Sequence, residues 1–126
     1  MSQDIVADAL NMIKNAKMAK KNTVKINKIS NLLIEILKIM KKKNAIKKYK
    51  INSKEKSIEV SIGEILDCKA IKPRFSVNKA QIDKYRRRYL PARDLGIIII
   101  STNQGLMTHE EAMEGKIGGS LIAYFY

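Results

Sequence analysis

The sequence predicts an α+β protein made of two small modules, and three observations lead to this prediction. The chain has 126 residues, of which 45% are hydrophobic, so it can bury a real core in one domain or two small ones. Helical and strand spacings follow each other as α-β-α-β-β up to Gly63. The remainder is mainly β with short helices. We expect the modules to comprise residues 1–63 and 64–126.

Two amphipathic helices are predicted in the N-terminal module. Apolar residues recur at helical spacing, and they are Val6, Ala9, Leu10, Ile13 and Ala16 in the first helix and Leu33, Ile36, Leu37 and Met40 in the second. Ser30 or Asn31 can cap the second helix, and Asn44 can end it. Each helix therefore has one stripe that can pack against a sheet.

Three strands should complete this module. Thr23 to Ile26 has the alternation of a short strand. Ala45 to Ile51 and Ser57 to Ile62 follow, joined by the polar turn Asn52 to Lys56.

In the C-terminal module, some strand patterns are clear and other segments are ambiguous between helix and loop. A strand pattern from Ile65 to Ile71 is broken at Pro73, and Val77 to Tyr89 mixes weak helical and loop signals. Gly96 precedes four consecutive isoleucines, a β-branched run that predicts a central strand.

The chain end predicts one more helix and one more strand. Thr108 and Glu111 have the spacing of a capping box, and Gly115 can end the short helix that they begin. A last strand is expected from Leu121 to Tyr126.

The charge of the chain indicates a polyanionic partner. The formal net charge is +13, and residues 1–56 contain 15 Lys against 4 acidic residues, counted from the sequence. Such an excess repels itself unless a nucleic acid or an anionic membrane neutralises it. No apolar stretch is long enough to span a bilayer and no signal peptide is recognised, so we expect a soluble, intracellular protein without a membrane partner.

An enzymatic function has little support in the sequence. Ser101, His109 and Asp94 are the residue types of a hydrolase triad, but no G-x-S-x-G motif surrounds the serine. His109 is expected at the first position of the short helix as an exposed polar residue. With the single Cys68 it cannot supply the usual ligands of a zinc site, so we expect no metal and no cofactor.

Three groups of residues are candidates for nucleic-acid contacts. Asn11, Lys14 and Asn15 share one helix face, where amide and ammonium donors could reach phosphates or bases; an ordinary solvated face is the alternative. The second group is basic with interleaved aromatic residues, and it comprises Lys72, Arg74, Phe75, Tyr85, Arg86, Arg87, Arg88, Tyr89 and Arg93. Arginine suits phosphate contacts, and for Phe75 and Tyr89 packing against the sheet is the favoured interpretation.

The third group is a predicted polar loop after the isoleucine strand. It contains Ser101, Thr102, Asn103, Gln104 and Gly105. Hydroxyl and amide groups can exchange hydrogen bonds with 2′-hydroxyls and phosphates of an RNA helix. The alternative is that Ser and Thr merely satisfy the turn between strand and helix.

Several stretches of the chain resemble one known family. GIIIISTNQGLMTHEEA at 96–112, followed by GGSL at 118–121, closely resembles the C-terminal signature of the small-subunit ribosomal protein family S-eight. DALNMIKN at 8–15 resembles its first helix, and IKPRF at 71–75 with YLPARD at 89–94 resembles its archaeal branch. The resemblance covers essentially the whole chain.

The resemblance implies a structural, non-enzymatic protein of the small ribosomal subunit in an archaeal-type cytoplasm. It would bind the central domain of small-subunit rRNA (16S type), support assembly of the platform and lie beside other small-subunit ribosomal proteins. By the same resemblance, the RNA contacts are Ser101, Thr102, Asn103 and Gly105, helped by Asn11, Lys14 and Asn15. Bacterial relatives usually have Ser at the position of Asn103, and they also repress their own message, which makes the chain's own mRNA a further candidate partner. The alternative function is a free regulatory or chromatin protein that coats nucleic acid by charge.

Overall fold

The computed structural model of this chain describes residues 5–71, 76–91 and 96–126. These residues form helices and strands arranged in two sheets, which confirms the predicted α+β class. The chain divides into two compact units, one ending at Cys68 and the other beginning at Lys69. None of the helices in the described ranges is both long and apolar enough to cross a membrane.

The first unit has the predicted order α-β-α-β-β. Its elements are α1 (Ile5–Met18), β1 (Thr23–Ile26), α2 (Asn31–Lys42), β2 (Ile46–Asn52) and β3 (Ser57–Ile62). The three strands form an antiparallel sheet in the order β1-β3-β2.

Both helices of the first unit bury the predicted stripe. α1 buries its five predicted apolar residues, and α2 buries its four. The hydroxyl of Ser30 accepts a hydrogen bond from the Leu33 N–H at 3.1 Å, so Ser30 is the cap that starts α2. Asn44 follows the helix with a φ of 65°, a left-handed conformation that asparagine tolerates well.

Left-handed backbone also occurs at three lysines of the described residues. Lys20 follows α1 with φ 60°, Lys56 ends the turn between β2 and β3 with φ 51°, and Lys116 has φ 55°. Lysine has a Cβ and is therefore less favourable there than glycine.

The segment after Gly63 makes contacts within the first unit. The Cys68 thiol is buried and donates to the carbonyl of Leu10 at 3.2 Å, and Asp67 forms an ion pair with Lys14 at 2.9 Å. These contacts explain why the first unit extends to Cys68, whereas the sequence suggested an end near Gly63.

The second unit contains one mixed set of elements around a single sheet. They are β4 (Cys68–Ala70), β5 (Ser76–Val77), α3 (Ile82–Tyr89), β6 (Ile97–Thr102), β7 (Gly105–Thr108), α4 (His109–Glu114) and β8 (Gly119–Phe125). The strand order is β4-β8-β6-β7, with β5 also paired to β8. β4 is shorter than the predicted strand, and β7 was missed because its residues looked like a connection between strand and helix.

The isoleucine strand is central, as predicted. β6 pairs with β8 on one side and β7 on the other, and all four isoleucines are buried. Ile98 and Ile100 belong to a core cluster with Val77, Ile82 and Leu121. Because strand residues alternate between faces, Thr102 lies on the same face as these two isoleucines and Ser101 lies on the opposite face.

The start of α4 includes one confirmed and one wrong prediction. Thr108 accepts from the Glu111 N–H at 3.2 Å, so it caps the helix, and its hydroxyl also lies 3.2 Å from the Glu111 carboxylate. His109 was expected to be exposed, but it is 1% exposed. Its Nδ1 accepts a hydrogen bond from the N–H of Ile98 at 3.1 Å, which makes it a structural link between α4 and β6.

Candidate nucleic-acid interface

The predicted polar loop is a tight β-hairpin. Ser101 and Thr102 are the last residues of β6, paired with Leu106 and Gly105 of β7, so only two residues form the turn. This corrects the prediction that Ser101 and Thr102 lie in a loop. Strand β6 extends past the isoleucines to Ser101 and Thr102 because β7 pairs with these two residues as well.

Gly105 and Thr102 fix the shape of the hairpin. Gly105 has a φ of +108°, a backbone conformation that glycine adopts without the steric penalty of a Cβ. The Thr102 hydroxyl accepts from the Gln104 N–H at 3.1 Å and donates to the Gly105 carbonyl at 2.8 Å. The Thr102 proton is thus used inside the hairpin, and this side chain orders the turn.

Ser101, Asn103 and Gln104 are polar residues of the hairpin that solvent reaches partly or fully. Ser101 is half-buried on the sheet face opposite Thr102, and Asn103 is exposed at the turn. A hydroxyl and an amide provide both donors and acceptors without charge. Held on a paired strand and a closed turn, they can bind a partner with little further ordering.

Of the predicted helix face, the structure brings together Asn11 and Asn15. Both line a cleft of about 450 Å³ between α1 and the chain around Ile26, and Met12 is part of its wall. A second cleft of about 450 Å³ shares Met12 and Asn15 and continues along β1. Lys14 is not among the lining residues, and its ammonium lies 2.9 Å from the Asp67 carboxylate.

The lysines that line these clefts differ in whether a carboxylate lies beside them. Lys25 lies 2.6 Å from Glu55 and lowers the pKa of that carboxyl, and Lys28 lies 3.4 Å from Asp8. Lys21 lines the second cleft, is exposed and forms no ion pair with a described residue. It is the better candidate for a phosphate contact, and the sequence did not single it out.

The arginines of α3 are partly occupied by one carboxylate. Asp83 accepts from Arg86 Nε at 2.8 Å and from Arg87 Nη2 at 2.8 Å, and these hydrogen bonds lower its pKa. Arg88 is exposed and has no such partner among the described residues. Lys72 and Arg74 lie outside the described residues.

Four tyrosines of the second unit stack in sequence. Ring centroids are 6.4 Å apart for Tyr85 and Tyr89, 5.4 Å for Tyr89 and Tyr124, and 6.3 Å for Tyr124 and Tyr126. All four pack against the core of that unit, as expected for Tyr89. Packing is therefore their principal role, and Phe75 lies outside the described residues.

His109 and Cys68 are both buried and make structural hydrogen bonds. His109 is buried and bonded to the backbone, and Asp94 lies outside the described ranges. No cluster of three or more His, Cys, Asp or Glu occurs within 5–71, 76–91 and 96–126. Burial, followed by the charge of Asp67, raises the pKa of the Cys68 thiol to about 12, so this thiol stays protonated and unreactive.

These features define a class: a small, basic α+β protein with a preorganised polar hairpin and a lysine-lined cleft, suited to binding nucleic acid and not to catalysis. Residues 4–126 match the model of the family described as Ribosomal protein S8, and the chain belongs to this family of structural, non-enzymatic proteins.

Archaeal relatives agree with this assignment over their full length. The chain is 43% identical over 129 residues to the small ribosomal subunit protein uS8 of Nanoarchaeum equitans. It is 42% and 40% identical, each over 130 residues, to the proteins of the same name from Picrophilus torridus and Archaeoglobus fulgidus. In all three comparisons both chains are covered completely.

Proposed function

We propose that this chain is a structural constituent of the small ribosomal subunit that binds directly to the central domain of small-subunit rRNA and supports assembly of the platform. It acts in the cytoplasm beside other small-subunit ribosomal proteins. Membership of the ribosomal family supports the assembly role.

The hairpin is the observation that carries the RNA contact. Ser101 and Asn103 present uncharged donors and acceptors on a strand end that Thr102 and Gly105 hold in one shape. Such groups fit the wide, shallow minor groove of an RNA helix, where 2′-hydroxyls both donate and accept. Recognition by the hairpin should therefore depend on RNA shape and on the ribose.

The α1 cleft supplies the second part of the contact. Asn11 and Asn15 offer amide groups in the first cleft, and Lys21 in the second adds a positive charge that forms no ion pair with a described residue. Arg88, with Arg86 and Arg87 beside it, adds charge in the second unit. These groups position the RNA backbone, whereas the hairpin selects the RNA.

A binding competition tests the proposal. The protein is titrated with the helix from the central domain of small-subunit rRNA and with a DNA duplex of equal length at ~0.2 M salt. We expect strong preference for the RNA helix, and a tagged protein sedimenting with small subunits from its own cells. Equal affinity for both nucleic acids would contradict the proposal.

A charge-driven coating protein is the second candidate function, and the net charge of +13 favours it. Its binding would be indifferent to RNA sequence and to the 2′-hydroxyl. The chain's own mRNA is a further proposed target, by resemblance to bacterial relatives. Competition between that message and the rRNA helix for one site would support it, and absence of binding to the message would exclude it.

A further inference from the structure

We propose that three serines in one row across the second sheet, Ser76, Ser120 and Ser101, form a continuous strip of hydroxyl groups that binds 2′-hydroxyls of the RNA. The RNA contact would then extend from the hairpin across β8 to β5. We name this strip the serine row. The proposal rests on the proposed function, since it enlarges the same RNA-binding surface.

The strand register places the three serines side by side. Ser76 is the direct partner of Ser120, and Ser120 is the direct partner of Ser101. Directly opposed residues on antiparallel strands project to the same face, with Cβ atoms roughly 5 Å apart. The serine row is therefore a strip roughly 10 Å long.

Alternation along each strand fixes which face carries the strip. Val77, Leu121 and Ile100 each follow or precede one of the three serines, and all belong to the core cluster of the unit. Neighbouring residues of a strand point to opposite faces. The serine row therefore lies on the face opposite that core, which is also the face of Ser101 at the hairpin.

The hydroxyl groups keep capacity for an external partner. Ser76 Oγ and Ser120 Oγ lie 3.4 Å apart, longer than the ~2.8 Å usual for hydroxyl hydrogen bonds. Ser76 is exposed, and Ser120 and Ser101 are half-buried. Each hydroxyl has one donor and two acceptor positions, so the row can donate and accept at several points.

Two glycines hold the strip in place. A Cβ at Gly119 would collide with the Ser101 carbonyl, and one at Gly118 would lie 2.5 Å from the Val77 carbonyl. Close approach of β8 to both neighbours therefore depends on these positions. The serines are fixed by strand pairing before any ligand binds, which favours geometric selection.

The chemistry of the strip favours RNA over other polyanions. Three adjacent hydroxyls bear no charge, so they add nothing to a purely electrostatic attraction. The repeated ribose 2′-hydroxyls of an RNA helix can both donate to and accept from them, and DNA lacks this group. The strip thus supplies a reason for RNA preference in addition to the hairpin.

The test combines a protein variant with modified RNA. Ser76→Ala/Ser120→Ala is compared with wild type and with Ser61→Ala, a half-buried serine of β3 that serves as matched control. We expect the double variant to bind the rRNA helix roughly 5-fold or more weaker with an unchanged salt slope. Ser61→Ala should bind like wild type, and Ser76→Thr/Ser120→Thr, which keeps both hydroxyls, should restore most of the affinity.

A series of rRNA helices with single 2′-deoxy substitutions identifies the contact. At one or more positions, the 2′-deoxy substitution should weaken RNA binding by the wild-type protein but not by Ser76→Ala/Ser120→Ala. A folded double variant with wild-type affinity, or deoxy effects identical for both proteins, would overturn the serine row. Loss of RNA preference in wild type itself would instead defeat the proposed function.

Discussion

The two units differ in what they offer to a polyanion. In the first, the lysines that line the two clefts beside α1 are Lys21, Lys25 and Lys28, and the last two already face carboxylates. The second presents mainly neutral groups on a rigid hairpin. Charge acts over about a Debye length and is insensitive to sequence, whereas hydrogen bonds act only at contact. Because these groups lie in different units, we expect separate substitutions to change the attraction to polyanions and the selection of RNA.

The largest effect on stability should come from Gly119→Ala, a substitution in β8 of the second unit. The added Cβ has no space beside the Ser101 carbonyl and lies 2.9 Å from Ile100 Cγ2, so β8 must shift. We expect the free energy of unfolding to fall by about 2 to 3 kcal/mol. RNA selectivity should fall more than total nucleic-acid binding.

Urea denaturation followed by circular dichroism measures this loss. Gly115→Ala is the matched control, because Gly115 has a φ of −82° and its closest contacts are at 3.3 Å. Equal stability of the two variants would show that β8 does not depend on close approach at Gly119.

The next largest effect concerns the hairpin. We expect Ser101→Ala/Thr102→Ala to weaken specific RNA binding ~5- to 100-fold, because each neutral hydrogen bond contributes roughly 0.5 to 1.5 kcal/mol. Ser101 would lose a contact, and Thr102 would lose the bonds that order Gln104 and Gly105. Thr102→Ser keeps those bonds and should bind nearly as wild type.

Titration of the rRNA helix against each folded variant measures this effect. The salt slope should stay constant, since no charge is removed. A double variant with full affinity and full selectivity would place RNA recognition elsewhere.

A smaller effect should distinguish two lysines of the first unit. Lys21→Gln removes an exposed ammonium without an ion pair to a described residue, so the slope of log affinity against log salt should fall by about one. Lys14→Gln should change the slope less, because Asp67 already compensates that ammonium. Affinities at four or more salt concentrations measure both slopes, and equal slopes would contradict the assignment of Lys21.

The smallest effect on binding should follow from Cys68→Ser. The thiol is buried in the first unit, so RNA affinity should stay nearly unchanged while stability falls by about 1 kcal/mol. With its pKa raised to about 12, the thiol of the native protein should resist alkylation at pH 8. Rapid modification without denaturant, or loss of RNA binding on substitution, would show a different role for this side chain.

Periodicity predicted most of the fold because the buried stripes are strong. All nine predicted core positions of α1 and α2 are buried, and the isoleucine strand is central. α3 was uncertain because Ile82 is its only fully buried described residue and arginines dominate the remainder. Thr102 and Gly105 were recognised as turn residues, but β7 was not predicted, because its four residues looked like the connection between the isoleucine strand and the following helix.

Residue types alone identified candidate contacts, and they did not identify the ion-pair partners of those candidates. Lys14, Arg86 and Arg87 were chosen for charge alone, and the structure shows each beside a carboxylate. Such pairing depends on tertiary contacts for Lys14 and on the i, i+3 and i, i+4 spacing from Asp83 for the arginines. The helical spacing between Asp83 and the two arginines is visible in the sequence. It indicates that Arg86 and Arg87 are paired and favours Arg88 as the candidate RNA contact.

The left-handed lysines at 20, 56 and 116 show a compromise between backbone conformation and charge. Glycine would relax each of these turns, since it lacks the Cβ that opposes a positive φ. A neutral glycine would also remove an exposed cation at each position. At these turns the protein accepts local conformational strain and keeps an exposed positive charge, so greater stability of the free protein and stronger attraction to a polyanion are opposing demands on the same three positions.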